Sequence, residues 1–341
     1  MDPESLQSVS RVEHGGTTES DVLDFSANVN PETPDGVESV YTGALENARR
    51  YPAEPPGAFI TVAAEYVDVD PESIVPTPGG LAALRLAIET TIGPDDTVLV
   101  PAPSFGEYER EIRLQGAEPV VVPYDDLLRT DPAGVDLVVV CNPNNPTGDA
   151  YDRSALLEFA NRCRQDGTTL LVDEAFLGFT EQPSLAGTPG TIVVRSLTKL
   201  FGLPGLRAGF AVATGKHGVS LETARRPWNV GTPALETGAY CMRQEDFIER
   251  TRTRVAAERE RLQEGLASDF EVHPSDSPFL LLDVGDRRVD EVLNRAREEG
   301  VVLRDARTFR GLDSHVRVAV KGPVANDQLL EVLGDDTGVS P

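Results

Sequence analysis

The chain has 341 residues, 40% of them hydrophobic, which suits a large domain plus a smaller one better than one simple core. Its net charge of −25 argues against nucleic acid or an anionic membrane as partner. No apolar run approaches the roughly 18 residues of a membrane span, and the acidic opening MDPESLQSVSRVEHGG lacks the basic and apolar regions of a signal peptide. Cys141, Cys163 and Cys241 are too widely spaced for a disulfide framework or a zinc site. A cytoplasmic protein is expected.

The acidic residues are spread along the whole chain, and only Lys199, Lys216 and Lys321 are lysines among 31 basic residues. An evenly acidic, lysine-poor surface keeps a protein soluble when salt screens charge. A halophilic cytoplasm is the expectation.

The first 40 residues are irregular and rich in Pro and Gly, expected to wrap onto a small domain or a neighbouring subunit. Apolar β-branched runs then alternate with amphipathic stretches. Strands are predicted at Thr97–Pro101, Asp136–Cys141, Thr169–Val172, Thr191–Arg195 and Gly209–Ala213, and helices at Leu81–Thr91 and Arg153–Asp166. This alternation implies βαβ units and an α/β fold with a mainly parallel sheet. One long helix is expected at about 233–267, as connector. From about Ser277 the pattern becomes a compact α+β unit of two to three strands: PFLLLDV, a helix through VDEVLNRAREEG, then VVLR, HVRVAV and a last helix near Asn326–Leu333. The expected division is 40–235 as the large domain, with 1–39 and 236–341 as the small one.

Four motifs carry the chemistry. TPGGLAAL (Thr77–Leu84) is a Gly-rich turn opening a helix, whose free N–H groups can cradle phosphate. CNPNNPTG (Cys141–Gly148) makes a tight turn, from which Asn145 can hydrogen-bond a ring oxygen. DEAF (Asp173–Phe176) puts a carboxylate at the carboxyl edge of a buried strand, where α/β sheets bind ligands; it can hold a pyridine nitrogen protonated. SLTKLFGLPGLRAGF (Ser196–Phe210) places Lys199 between Ser196 and Arg207. Its amine is what an aldehyde cofactor needs for a Schiff base, and the flanking hydroxyl and guanidinium suit a phosphate.

The order GG, NPNNPTG, DEAF, SLTK, GLRAG resembles the class I/II aminotransferases of fold type I over nearly the whole chain. The resemblance implies pyridoxal 5'-phosphate as cofactor, Lys199 as the lysine that holds it, Asp173 on the pyridine nitrogen and Asn145 on the ring hydroxyl. It implies Ser196, Arg207 and the amides of Gly80 and Leu81 on the phosphate, Phe105 stacked on the ring, and Arg317 on the substrate carboxylate. Tyr51 matches a tyrosine that reaches the partner subunit's cofactor phosphate, which implies a homodimer with shared active sites. Three departures stand out. Gly79 replaces a polar residue, Ala83 an acid, and Phe176 a tyrosine that normally donates to the ring oxygen.

His14-Gly15-Gly16, DFSANVNP (Asp24–Pro31), DEAF and LRDARTFRGLDSHVRVAV (Leu303–Val320) together resemble the threonine-phosphate decarboxylases of cobalamin biosynthesis, relatives of the histidinol-phosphate aminotransferases. That implies loss of CO2 from L-threonine O-3-phosphate, with transamination of a histidinol-phosphate type as the alternative. His14, Asn28, Asn145, Arg304 and Arg317 are the candidates for substrate binding, Arg307 and Arg310 competing with Arg304. No metal is expected.

Overall fold

The structure, a computed structural model, describes residues 1–334. In chain order the regular elements are β1 (Leu23–Asp24), α1 (Val37–Asn47), α2 (Gly57–Val67), β2 (Ile74–Thr77), α3 (Gly80–Thr91), β3 (Thr97–Ala102), α4 (Glu107–Leu114), β4 (Glu118–Pro123), β5 (Leu137–Cys141), α5 (Arg153–Asp166), β6 (Thr169–Asp173), β7 (Thr191–Ser196), β8 (Gly209–Ala213) and α6 (Gly215–Ala224). They continue with α7 (Thr232–Met242), α8 (Glu245–Leu266), β9 (Glu271–Val272), β10 (Phe279–Asp283), α9 (Val289–Glu298), β11 (Val301–Val302), β12 (Arg304–Asp305), β13 (His315–Ala319) and α10 (Pro323–Gly334).

The first sheet has seven strands in the order β2-β8-β7-β6-β5-β3-β4, and β8 alone runs against its neighbours. Alternation along the strands divides the core. Val98, Val100, Leu137, Val139, Leu171, Ile192 and Val194 face α3 and α4, while Leu99, Val138, Val140, Leu170, Val172 and Val193 face α2 and α5. Burial on both sides explains why these strands read as continuous apolar runs. Two strands were not predicted: β2 carries Pro76, and β4 lies on the sheet edge, where Pro119 and Pro123 are tolerated.

The long helix expected at about 233–267 is two helices, α7 and α8, separated at Arg243–Gln244. Gln244 leaves the helical region, and Glu245 and Asp246 begin α8, where acids suit the positive helix N-terminus. The C-terminal unit is larger than the two to three strands expected: β12-β13-β10-β9 form an antiparallel sheet, and VVLR splits between β11 and β12. β1 pairs in parallel with β11, so the N-terminal segment joins this unit. Residues 2–12 lie elsewhere. Asp2 N–H donates to Leu114 O (2.7 Å), Arg110 Nε to Ser10 O (3.2 Å), and Val12 packs on Gly106. The start of the chain is thus a strap along α4 of the large sheet, held by hydrogen bonds to or from its backbone that no side-chain pattern announces. Among the described residues, no helix is long and apolar enough to cross a membrane.

Candidate active site

β2, β3, β5, β6 and β7 point the same way, so Thr77, Ala102, Cys141, Asp173 and Ser196 finish on one edge of the sheet. A cavity of about 290 Å³ opens there. It is lined by His14, Asn28, Gly80, Leu81, Phe105, Asn145, Asp173, Ser196, Lys199, Arg207, Arg304 and Arg317, twelve of the thirteen predicted residues. Tyr51 lies outside it, 79% exposed, its ring 4.7 Å from that of Trp228.

One end of the cavity is built for an anion. Gly79 has φ +94°, and a Cβ there would lie 2.7 Å from Arg207 Nη2. Glycine is therefore what allows the guanidinium to lie over the turn; a polar side chain at this position would displace it. Gly209 lets the same turn rest on β8, since its Cβ would meet Arg195 O at 2.6 Å and Gly80 N at 2.8 Å. Among the described residues no side chain caps α3, whose first N–H groups stay available. Ser196 Oγ lies 3.0 Å from Thr198 Oγ1 beside them. Arg207 makes only long contacts, 3.3 and 3.4 Å, to the carbonyls of Pro204 and Pro78, and no ion pair among the described residues.

The other end is acidic. Asp173 is buried, and burial raises its pKa; hydrogen bonds from Tyr108 and the Ala175 amide oppose the rise. Tyr108, wholly buried, donates to Asp173 Oδ2 at 2.8 Å and meets Phe105 edge-on at 5.6 Å. Between the two ends lies Lys199. Burial first, then Arg317 and Arg207, bring its amine down to about 8, against the pull of Asp173. Arg207 at one end, Asp173 at the other and a lowered amine between them fit a ring that bears a phosphate and a protonated nitrogen. The phosphate fits α3, Ser196, Thr198 and Arg207; the nitrogen fits Asp173; the aldehyde fits Lys199.

A testable consequence concerns pH. The free base is the nucleophile, and its fraction grows as pH rises through the folded pKa. Capture of pyridoxal phosphate by the apoprotein, followed by stopped-flow absorbance, is expected to accelerate with a midpoint near 8. The Tyr108–Asp173 bond gives another. A hydrogen bond to a charged group is worth about 1.5–3 kcal/mol, so Tyr108→Phe is expected to weaken cofactor affinity about 10-fold or more in a fluorescence titration.

The substrate side of the cavity comes from the C-terminal sheet and the N-terminal segment. Arg317 on β13 and Arg304 on β12 are cross-strand partners and both are buried. Arg317 donates to Asn145 Oδ1 and to Ser26 O (3.1 Å), and its buried Nε has no partner among the described residues. Arg304 donates to Glu13 O and Thr308 Oγ1, each at 2.8 Å. Among the described residues neither has a carboxylate partner, and burial lowers the pKa of both. Phe309 lies under both guanidiniums, 5.6 Å from Arg304 and 5.5 Å from Arg317. Arg307 and Arg310 are different: Arg307 is paired with Asp290 and Asp305, Arg310 with Glu109, and neither lines the cavity. His14 Nε2 lies 3.0 Å from Glu107 Oε1 at the mouth. Asn28 is buried, its Oδ1 unpartnered among the described residues; its loop is fixed by Lys321 Nζ on the carbonyls of Ala27 (3.2 Å) and Val29 (3.3 Å).

Sequence reasoning missed Tyr108, Thr198, Phe309 and Lys321. Thr198 adjoins Lys199 and carries a hydroxyl, a legible signal. Lys321 was one of only three lysines, another. Tyr108 and Phe309 had no signal, since their roles depend on contacts across the fold. Phe176 is buried edge-on against Phe279, with ring centroids 5.0 Å apart, and adds no donor to the cavity.

The family model for aminotransferase class I and II matches residues 20–333. Histidinol-phosphate aminotransferase 2 of Archaeoglobus fulgidus is 31% identical, covering 92% of this chain and 93% of that protein. A protein of Caldanaerobacter subterraneus subsp. tengcongensis, provisionally assigned as threonine-phosphate decarboxylase, is 32% identical, covering 96% and 95%. Among solved structures, histidinol-phosphate aminotransferase of Clostridium acetobutylicum superposes with a TM-score of 0.84 at 25% identity, covering 92% of this chain and 98% of that one. L-threonine-O-3-phosphate decarboxylase of Porphyromonas gingivalis gives 0.81 at 27%, with the same coverage. The chain therefore belongs to the class I and II aminotransferase family, as a fold type I enzyme whose cofactor is pyridoxal phosphate.

Proposed function

We propose that this enzyme decarboxylates L-threonine O-3-phosphate to (R)-1-amino-2-propanol O-2-phosphate, a step of cobalamin biosynthesis. The observation that carries the reading is the Arg304–Arg317 pair. Like charges directly opposite on neighbouring strands destabilise a sheet, and a buried cation without a counter-charge is costly. Both costs vanish when anions arrive. The cofactor phosphate already has its own cradle, so two further cations suit a substrate with two anionic groups, a phosphate and a carboxylate. Threonine phosphate has both; histidinol phosphate has no carboxylate.

Pyridoxal phosphate, when bound, supplies an electron-withdrawing ring that accepts the electron pair left when a bond at Cα breaks. The chain's own residues decide which bond. Arg317, fixed by Asn145 and Ser26, holds the carboxylate; Arg304, with His14 and Asn28, holds the phosphate. Anchoring both ends sets the rotation about the amine, which is what separates loss of CO2 from loss of the Cα proton. Asp173 keeps the ring nitrogen protonated, and the Lys199 amine, with its lowered pKa, returns a proton to Cα.

A second reading, an aminotransferase of histidinol-phosphate type, is favoured by the names of most of the similar curated proteins. The separating experiment supplies holoenzyme with L-threonine O-3-phosphate and no oxo acid. Sustained CO2 release with aminopropanol phosphate as product supports the proposal. No CO2, with amino transfer from histidinol phosphate to 2-oxoglutarate, replaces it with the second reading.

The active unit is proposed to be a homodimer. Tyr51 and Trp228 form an exposed aromatic pair, and Tyr41 and Leu45 on α1 are also exposed; in a dimer Tyr51 would reach the partner's cofactor phosphate. Light scattering at micromolar concentration is expected to give twice the 36.7 kDa chain mass.

A further inference from the structure

Two of the four histidines in the chain, His273 and His315, meet away from the cavity. His273 follows the edge strand β9, its N–H bonded to Leu281 O at 3.0 Å; His315 begins β13; β10 lies between. The registers Glu271↔Asp283↔His315 place these residues and His273 on one face of the sheet. The two Nε2 atoms are 3.2 Å apart, with the rings inclined at 49°. Asp283 Oδ2 lies 3.8 Å from His315 Nε2. On its far side His315 Nδ1 is 3.4 Å from Ser314 Oγ, the kind of contact that fixes a ligating ring.

We propose that His273 and His315, joined by Asp283, form a binding site for a zinc-class divalent transition metal. Zinc–nitrogen bonds of about 2.0–2.1 Å in tetrahedral geometry set two ligating nitrogens about 3.3 Å apart, and this pair is nearly there already. Among the described residues no three such ligands already converge; metal binding requires Asp283, 3.8 Å from His315 Nε2, to turn inward and water to complete the shell. Imidazole ligates in its neutral form. The metal clamps the two-residue strand β9 to β13 across β10. Arg317 is two residues along β13 on the same face, opposite Leu281, so the clamp steadies the strand that carries it. The site does not depend on which reaction the enzyme performs.

The test uses untagged holoenzyme stripped with a chelator, returned to high salt and titrated with zinc chloride in a calorimeter. One equivalent per chain is expected. Asp283→Asn is expected to weaken uptake about 10-fold, and His273→Gln or His315→Gln by more, with the cofactor absorbance unchanged. No uptake by wild type overturns the proposal and leaves the pair a shared hydrogen bond. Equal uptake by wild type and the double glutamine variant overturns it too, and assigns the metal to surface carboxylates. Should a glutamine variant unfold, Cu(II) electron paramagnetic resonance of the wild type decides. Hyperfine splitting from two imidazole nitrogens upholds the site, and its absence removes it.

Discussion

Lys199→Ala is expected to abolish the visible absorbance of the bound cofactor and to lower kcat by on the order of 10⁴-fold or more, as loss of a covalent catalytic residue does. The same residue has an opposite effect on stability. Its amine is brought down to about 8 by burial beside two arginines, from 10.5 in the unfolded chain. Below pH 8 both states carry the proton, and the folded state bears the whole cost of the buried charge. Between about 8 and 10.5 the unfolded chain holds a proton that the folded chain has released, so stability rises with pH. Lys199→Met is therefore expected to raise the Tm of the apoprotein at pH 7. The advantage shrinks as pH increases from 8 to 10.5. Calorimetric scans of wild type and variant across that range check the sign. A variant less stable than wild type at pH 7 would contradict the electrostatic account of the site.

The second large effect belongs to the arginine pair. Removing one partner of a buried charge pair costs about 2–5 kcal/mol of binding, so Arg317→Leu is expected to lower kcat/KM for threonine phosphate about 10²- to 10³-fold. Arg304→Leu is expected to act mainly on KM, because Arg304 lacks the Arg317 contact with Asn145. In the unliganded enzyme, however, either change removes one of two like charges facing each other across β12 and β13. The Tm without substrate should hold or rise. A residue kept for packing would behave oppositely, with a lower Tm and little change in KM. Arg307→Leu provides the comparison: its guanidinium is engaged by Asp290 and Asp305, so threonine phosphate kinetics should be unaffected.

Five of the seven strands of the large sheet were legible because burial on both faces writes an unbroken apolar run, as at Leu137–Cys141 and Thr169–Asp173. The carboxyl-edge motifs were legible for a related reason: a polar residue directly after such a run has one place to go. Asp173 and Ser196 follow from that logic alone. The break between α7 and α8 was not legible, because Arg243 and Gln244 are ordinary helix formers and the interruption is set by tertiary packing. Nor was the choice among Arg304, Arg307 and Arg310. Three arginines within seven residues look alike in sequence; what separates them is that Asp305, Asp290 and Glu109 occupy two of them. Tyr108 was hidden because it is matched to Asp173 only through the meeting of α4 and β6, 65 residues apart.

The measurement that bears most directly on the central claim, that the unpaired arginines are there for a substrate with two anions, is a binding comparison. The Lys199→Ala variant, loaded with pyridoxal phosphate so that turnover is slow, is titrated with L-threonine O-3-phosphate, with L-threonine and with O-phosphoethanolamine. The doubly anionic ligand is predicted to bind about 10²-fold or more tightly than either ligand that keeps only one of its anionic groups. Equal affinity for O-phosphoethanolamine would mean that no carboxylate is read, and the site would then be one for a phosphorylated amine.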